Sequence, residues 1–158
     1  MAQWSEQVEI LAPAEAVWAV LADVQGWRKW TASVELIRRR EQGKPFGLGS
    51  EAWVKQPRLP GAVWRVTAFE PGRSFVWQSH APGVRTVAGH HLRAGRAEGV
   101  ESGRAEGAES TWVTLELRQH GPLAGPAALL LGRLARRYLA MEAAGLKAYC
   151  EVIHPTNA

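Results

Sequence analysis

Residues 127–152 read AALLLGRLARRYLAMEAAGLKAYCEV, and the apolar side chains in this stretch recur at helical spacing. Leu131, Leu134, Tyr138, Met141 and Gly145 fall on one stripe, while Arg133, Arg136, Arg137 and Lys147 lie mostly elsewhere. One long amphipathic helix follows, opened by the breaking pair Gly121-Pro122. Its 26 residues would run about 39 Å at roughly 1.5 Å per residue. The chain before it has the opposite texture. Gln3 to Ile10 alternates, with Trp4, Val8 and Ile10 on one parity and Glu6 breaking the pattern. Further strands are predicted near 33–40, 49–56, 62–70, 73–80, 84–94 and 111–119, with turns at Pro71-Gly72 and Pro82-Gly83. Seven antiparallel strands at ~4.8 Å spacing make a sheet about 29 Å wide. A helix only ~10–12 Å thick cannot cover it. Two short helices after the first strand, one presenting Val17, Trp18 and Leu21 and one carrying Trp27 and Trp30, must close part of the gap. What they leave open is a pocket. The expected fold class is α+β: a curved seven-stranded sheet around a long C-terminal helix.

Composition narrows the function. The 158 residues suit one domain over 1–158, and 46% hydrophobic with 22% charged residues excludes a disordered chain. No apolar stretch approaches the ~20 residues of a membrane span, and the start lacks a secretory pattern, so a cytoplasmic location is expected. The lone Cys150 excludes an internal disulfide and Cys-based zinc sites. The net charge of +4 is spread along the chain, and Trp27-Arg28-Lys29-Trp30 interleaves bases with aromatics without any recognised nucleic-acid motif, so no nucleic-acid partner is expected. Eight Trp are the unusual feature: indoles either pack a wide core or line a cavity. Gly43 to Gly49 reads as a turn, since it lacks the Gly-Lys-Ser/Thr end of a phosphate loop. His90 and His91 are adjacent and so point to opposite faces of a strand, which rules out chelation of one metal. No cofactor or metal is called for. Residues 95–110 hold a tandem duplication, GRAEGVES then GRAEGAES, which reads as a flexible hairpin loop with little to bury.

Parity selects the inward face of each strand. Val113 and Leu115 alternate with polar neighbours, and the same test turns Val54, Gln56, Trp64, Val66, Phe75, Trp77, Ser79, His90 and Leu92 inward. Trp53 and Trp112 then point outward. Trp64 and Trp77 fit two roles, core packing and ligand contact. His90 faces an apolar interior, where desolvation favours the neutral ring. It is either a core histidine satisfied by Gln56, Ser79 or backbone, or a group that orients a ligand oxygen or acts as general base. Gln56 is equally a ligand hydrogen-bonder or a strand-end residue. Leu134, Tyr138 and Met141 come from the inward helix stripe.

Pro13 to Trp18, Asp23 to Trp30, Trp64-Arg65-Val66, Pro71 to Trp77, Ala88 to Leu92 and Glu142 to Glu151, in this order, resemble bacterial polyketide cyclase/dehydrase-like proteins of the START-type superfamily. The resemblance covers nearly the whole chain. It implies a helix-grip fold whose cavity receives an apolar or amphipathic small molecule. It also places Trp27 and Trp30 near the cavity entrance and matches Glu142 and Glu151 to acidic positions of the last helix, read here as salt-bridge partners. The duplicated loop departs from the family pattern. The superfamily mixes carriers, sensors, cyclases and protein-binding modules, so fold alone does not name a reaction. Three functions are expected to compete: binding of a small hydrophobic molecule by a monomer or homodimer; a metal-free cyclase/dehydrase using His90 for proton transfer; and a protein-interaction module presenting Trp53 and Trp112.

Overall fold

The computed structural model describes residues 2–96 and 109–154. Seven strands form one antiparallel sheet: β1 (Ala2–Ile10), β2 (Leu36–Arg39), β3 (Glu51–Lys55), β4 (Ala62–Glu70), β5 (Ser74–Ala81), β6 (Val84–Arg96) and β7 (Glu109–His120). Their order across the sheet is β1-β7-β6-β5-β4-β3-β2. Helix α1 (Ala14–Ala22) and a 3-10 helix, Val24–Lys29, follow β1, and the long helix α2 runs from Ala124 to Ile153. This is the expected helix-grip fold. The pairing of β6 with β7 continues to Gly95–Ser110 and Arg96–Glu109, so both strands outrun the predicted ends. The remainder of the duplicated segment, 97–108, lies outside the described residues.

Sheet curvature has a local cause. The register of β4 against β5 shifts between Val66 and Ala68, and such a bulge bends the strand and increases its twist. It also resets the parity, so that Val66 faces Trp77 and Phe69 faces Phe75, with all four on the concave side. There Trp18, Phe46 and Phe69 surround Phe75, at ring-centroid distances of 6.3 Å from Trp18 and 5.1 Å from Phe46.

Helix α2 is rotated relative to the expected stripe. Tyr138 is buried as expected, but its other buried positions from there on are Leu139, Ala143, Leu146 and Cys150. The predicted stripe steps by three and four, averaging 3.5 residues per turn, and a straight helix drifts about 20° per heptad against that repeat. That drift amounts to only about 30° between Leu131 and Met141, whereas the inward position there is Glu142 and Ala143, one to two residues on at about 100° each. The rotation is therefore set mainly by how α2 docks on the sheet. Gly145 is kept close for another reason: a Cβ there would overlap the carbonyl oxygen of Trp30. Alanine at a free mid-helix glycine is normally stabilising by about 0.5–1 kcal/mol. Gly145→Ala is expected to reverse that sign and destabilise by about 1–3 kcal/mol, because the backbone in its path cannot rotate away. A drop in Tm of several degrees by differential scanning calorimetry checks this.

Candidate functional site

The concave face is built of rows that cross β5, β6 and β7. Phe75 pairs with His90 and His90 with Leu115; Trp77 pairs with Ala88 and Ala88 with Leu117; Ser79 pairs with Thr86 and Thr86 with Gln119. At one end of the sheet the space above these rows is filled. Phe75 is fully buried, Val66 and Val113 are buried, and Leu92 packs on the same cluster, covered by α1, the 3-10 helix and Phe46. At the other end α1 contributes nothing to the lining, the 3-10 helix contributes only Trp27, and α2 spans the rest.

A cavity of about 360 Å³ occupies that uncovered end, within the ~300–1,000 Å³ usual for small-molecule sites. Of the residues singled out in the sequence, Val54, Gln56, Trp64, Trp77, Ser79, His90, Leu115, Leu134 and Tyr138 line it. Val66, Phe75, Leu92 and Val113 do not: parity turned them inward correctly, but they lie under the short helices, in the filled half. Trp30 is also placed elsewhere, against Gly145 of α2 and 5.3 Å from the ring of Trp27. Met141 sits off the cavity because of the rotation of α2. A second hollow, of about 320 Å³ between β1 and α2, is walled by Gln3, Ser5, Glu6 and Arg136 as well as Trp4 and Leu139, and none of the ligand-binding candidates read from the sequence lines it.

The aromatic wall is continuous. Trp27 lies 5.6 Å from Trp77, and Trp77 lies 5.7 Å from Trp64, in tilted arrangements. The indole N–H of Trp27 donates to the Leu21 carbonyl at 2.8 Å, which leaves its ring face to the interior. Ala88 and Ala62 line the same space, and their small side chains are what keep it open. Near the mouth, the Tyr138 hydroxyl donates to the Pro57 carbonyl and ties α2 to the loop after β3.

Two ionisable groups face this space. His90 is stacked on Phe75 at 4.2 Å between centroids and meets Trp27 edge-on at 5.4 Å. Its Nδ1 lies 3.3 Å from the Phe75 carbonyl oxygen. That oxygen can only accept, so Nδ1 carries the proton and Nε2 keeps a lone pair. Burial pushes the ring pKa down to about 3, with the Phe75 bond opposing and His91 adding a smaller repulsion. Glu142 enters the same cavity from α2, and burial holds its carboxyl up at about 7, opposed by a hydrogen bond from Ser33. The Ser33 hydroxyl donates to it at 3.4 Å, and Ser33 is itself linked to Thr31 at 2.8 Å. The salt-bridge role read for Glu142 is therefore not what the structure has: among the described residues no cation lies within ion-pair distance of it. Glu151 does pair, with Lys147 at 2.6 Å. Sequence reading missed Glu142 as a cavity residue, although its spacing of eleven from Leu131 is the repeat a straight helix keeps on one face.

Trp53 and Trp112 point to the convex side. Trp112 lies under the Arg93 guanidinium, 5.9 Å from its ring centroid, and Trp53 folds over Gly61. Four strand spacings separate β3 from β7, roughly 19 Å, so the two indoles do not form one patch.

Comparison with known proteins agrees with this architecture. A family model described as polyketide cyclase/dehydrase and lipid transport matches residues 1–151. The chain belongs to this family. No curated protein matches its sequence. Among solved structures, the Zhui aromatase/cyclase from Streptomyces sp. R1128 is similar with a TM-score of 0.70 at 19% identity, covering 95% of this chain and 93% of that one. A START superfamily protein from Mycobacterium smegmatis is similar at 0.61 and 15% identity, covering 96% and 98%. A hypothetical protein from Helicobacter pylori aligns at 0.74 and 14% identity, covering 94% and 88%. At these identities the likeness is one of fold. Among the described residues, no helix of this family member is long and apolar enough to cross a membrane.

Proposed function

We propose that the chain binds a small hydrophobic or amphipathic molecule in the cavity between α2 and the open end of the sheet. The observation that carries this reading is the cavity itself. Its wall is mainly apolar, with Leu115, Leu117, Leu131, Leu134 and three indoles, and a few polar groups converge on it from separate elements. Displacing water from such a surface gains about 25 cal/mol per Å² of apolar area, and the aromatic rings give shape at low entropic cost. Native mass spectrometry of the protein taken from cells, followed by titration with the extracted compound, is expected to show one saturable site. Quenching of the fluorescence of Trp27, Trp64 and Trp77 reads the same event. A protein that stays free of adducts and gives no saturable quenching with lipophilic extracts would overturn the reading.

A cyclase/dehydrase-type reaction is the alternative, and the free lone pair on His90 Nε2 is what favours it. Against it stands the depressed basicity of that ring, since an effective general base titrates near the working pH. A pKa of about 3 makes His90 a hydrogen-bond acceptor for a ligand rather than a proton carrier.

A further inference from the structure

The chain as a whole is basic, with a net charge of +4, yet its cavity is not. Among the described residues, neither Lys nor Arg lines the wall. Glu116 also borders the space, but its strand parity is that of the convex face, and its carboxylate lies 2.9 Å from Arg118 and 3.9 Å from His91. Glu142 is thus the carboxylate that the cavity contains. Two further acceptors of the lining lack a donor. The Gln119 side-chain oxygen is buried with no hydrogen-bond partner among the described residues, and His90 keeps the lone pair on Nε2 because Nδ1 already donates to Phe75.

A buried acceptor without a donor costs about 1–3 kcal/mol, and a buried carboxylate without a counter-ion costs more. A ligand that brings hydrogen-bond donors and positive charge relieves both. A ligand carboxylate would instead meet Glu142 with like charge and find no base to neutralise it. The indole faces point the same way, because a cation within about 6 Å of a Trp ring centroid is attracted by its quadrupole, most strongly when desolvated. Trp27, Trp77 and Trp64 form such a wall, and Ser33, which bonds Glu142, is followed directly by Val34 of the cavity lining.

We infer that the cavity takes an apolar amine, with the ammonium paired to Glu142 and held against the indole wall while the hydrocarbon body lies toward Leu115, Leu117 and Leu131. This rests on the ligand-binding reading above and narrows it to one chemical class.

Three probes of matched shape separate the two claims: naphthylethylamine, naphthylethanol and naphthylacetate, titrated calorimetrically into the full chain at mildly alkaline pH. The amine is expected to bind at least about tenfold more tightly than the alcohol, and the acid most weakly. In Glu142→Gln the ratio of amine to alcohol affinity is expected to fall to about one. An alcohol that matches the amine in the wild-type protein overturns the inference and leaves the cavity reading standing, and this arm needs no variant, so it holds if Glu142→Gln does not fold. An amine preference that survives in Glu142→Gln overturns the assignment to that carboxylate. Failure of all three probes to bind overturns the cavity reading and the inference with it.

Discussion

Ala88→Trp is expected to weaken binding of any cavity ligand by at least about 100-fold, equivalent to about 2.7 kcal/mol. Ala88 stands in the middle of β6 with Trp77 on one side and Leu117 on the other. Its methyl group faces the cavity, and it is the small member of a row whose other members are large. An indole at this point would occupy much of the 360 Å³ now open. Because the new ring enters existing space rather than a packed core, the fold should tolerate it with a cost at or below the ~1–3 kcal/mol of ordinary overpacking. Far-UV circular dichroism and Tm check that, while calorimetry or displacement of a fluorescent probe reads the affinity. Val87→Trp is the matched control. One residue along the strand its side chain lies on the convex face, and affinity should remain within about twofold, the scatter of a surface substitution. Equal affinities for the two variants would place the ligand outside this cavity.

The elements that were legible in the sequence are those whose period is long and clean. Val113, Leu115 and the strand around Trp77 alternate strictly, and their inward face follows from pleat geometry alone. The width of seven strands against one helix then implied an uncovered area, and the cavity lies there. Where it lies along the strands was not legible. Phe75 and Trp77 share a parity and a strand, yet one is core and the other is wall, because the short helices after β1 cover only one end of the sheet. That is a property of packing between distant segments, as is the bulge after Val66, which no local pattern announced. The helix stripe failed at Met141 because the apolar period fixes which residues share a face but not the angle at which α2 docks on the sheet. The difference between 3.5 and 3.6 residues per turn supplies only about 30° of the roughly 100° that one residue represents. The stripe put a methionine where Glu142 stands, so the charge in the cavity was hidden by an error of one residue.

Stability should be nearly independent of pH between about 4.5 and 6.5 in the wild-type protein and strongly dependent in two single variants. His90 has its pKa lowered from 6.5 to about 3 by burial. The unfolded chain therefore takes up the proton first, and stability is lost as pH falls from 6.5 toward 3. Glu142 behaves in the opposite sense. Its pKa is raised from 4.5 to about 7, so the folded form holds the proton more tightly, and the contribution present below 4.5 is lost as pH rises through 7. Each group changes stability by about 1.4 kcal/mol per pH unit inside its window. Where the windows overlap the slopes cancel. Glu142→Gln leaves the His90 slope alone, so this variant should lose about 2–3 kcal/mol on going from pH 6.5 to 4.5. His90→Gln leaves the Glu142 slope and should gain a similar amount over the same interval. Urea unfolding at a series of pH values measures both, and three parallel curves would refute the burial of these groups in ionisable form. Above neutrality Glu142→Gln should also exceed the wild type in stability by up to about 3 kcal/mol, since the uncompensated carboxylate is gone. Replacing Glu142 therefore separates the two roles of this carboxylate. The substitution that relieves the folded chain is the one that removes the counter-ion of the proposed ammonium, so a gain in stability above neutrality and a loss of amine selectivity should appear in the same variant.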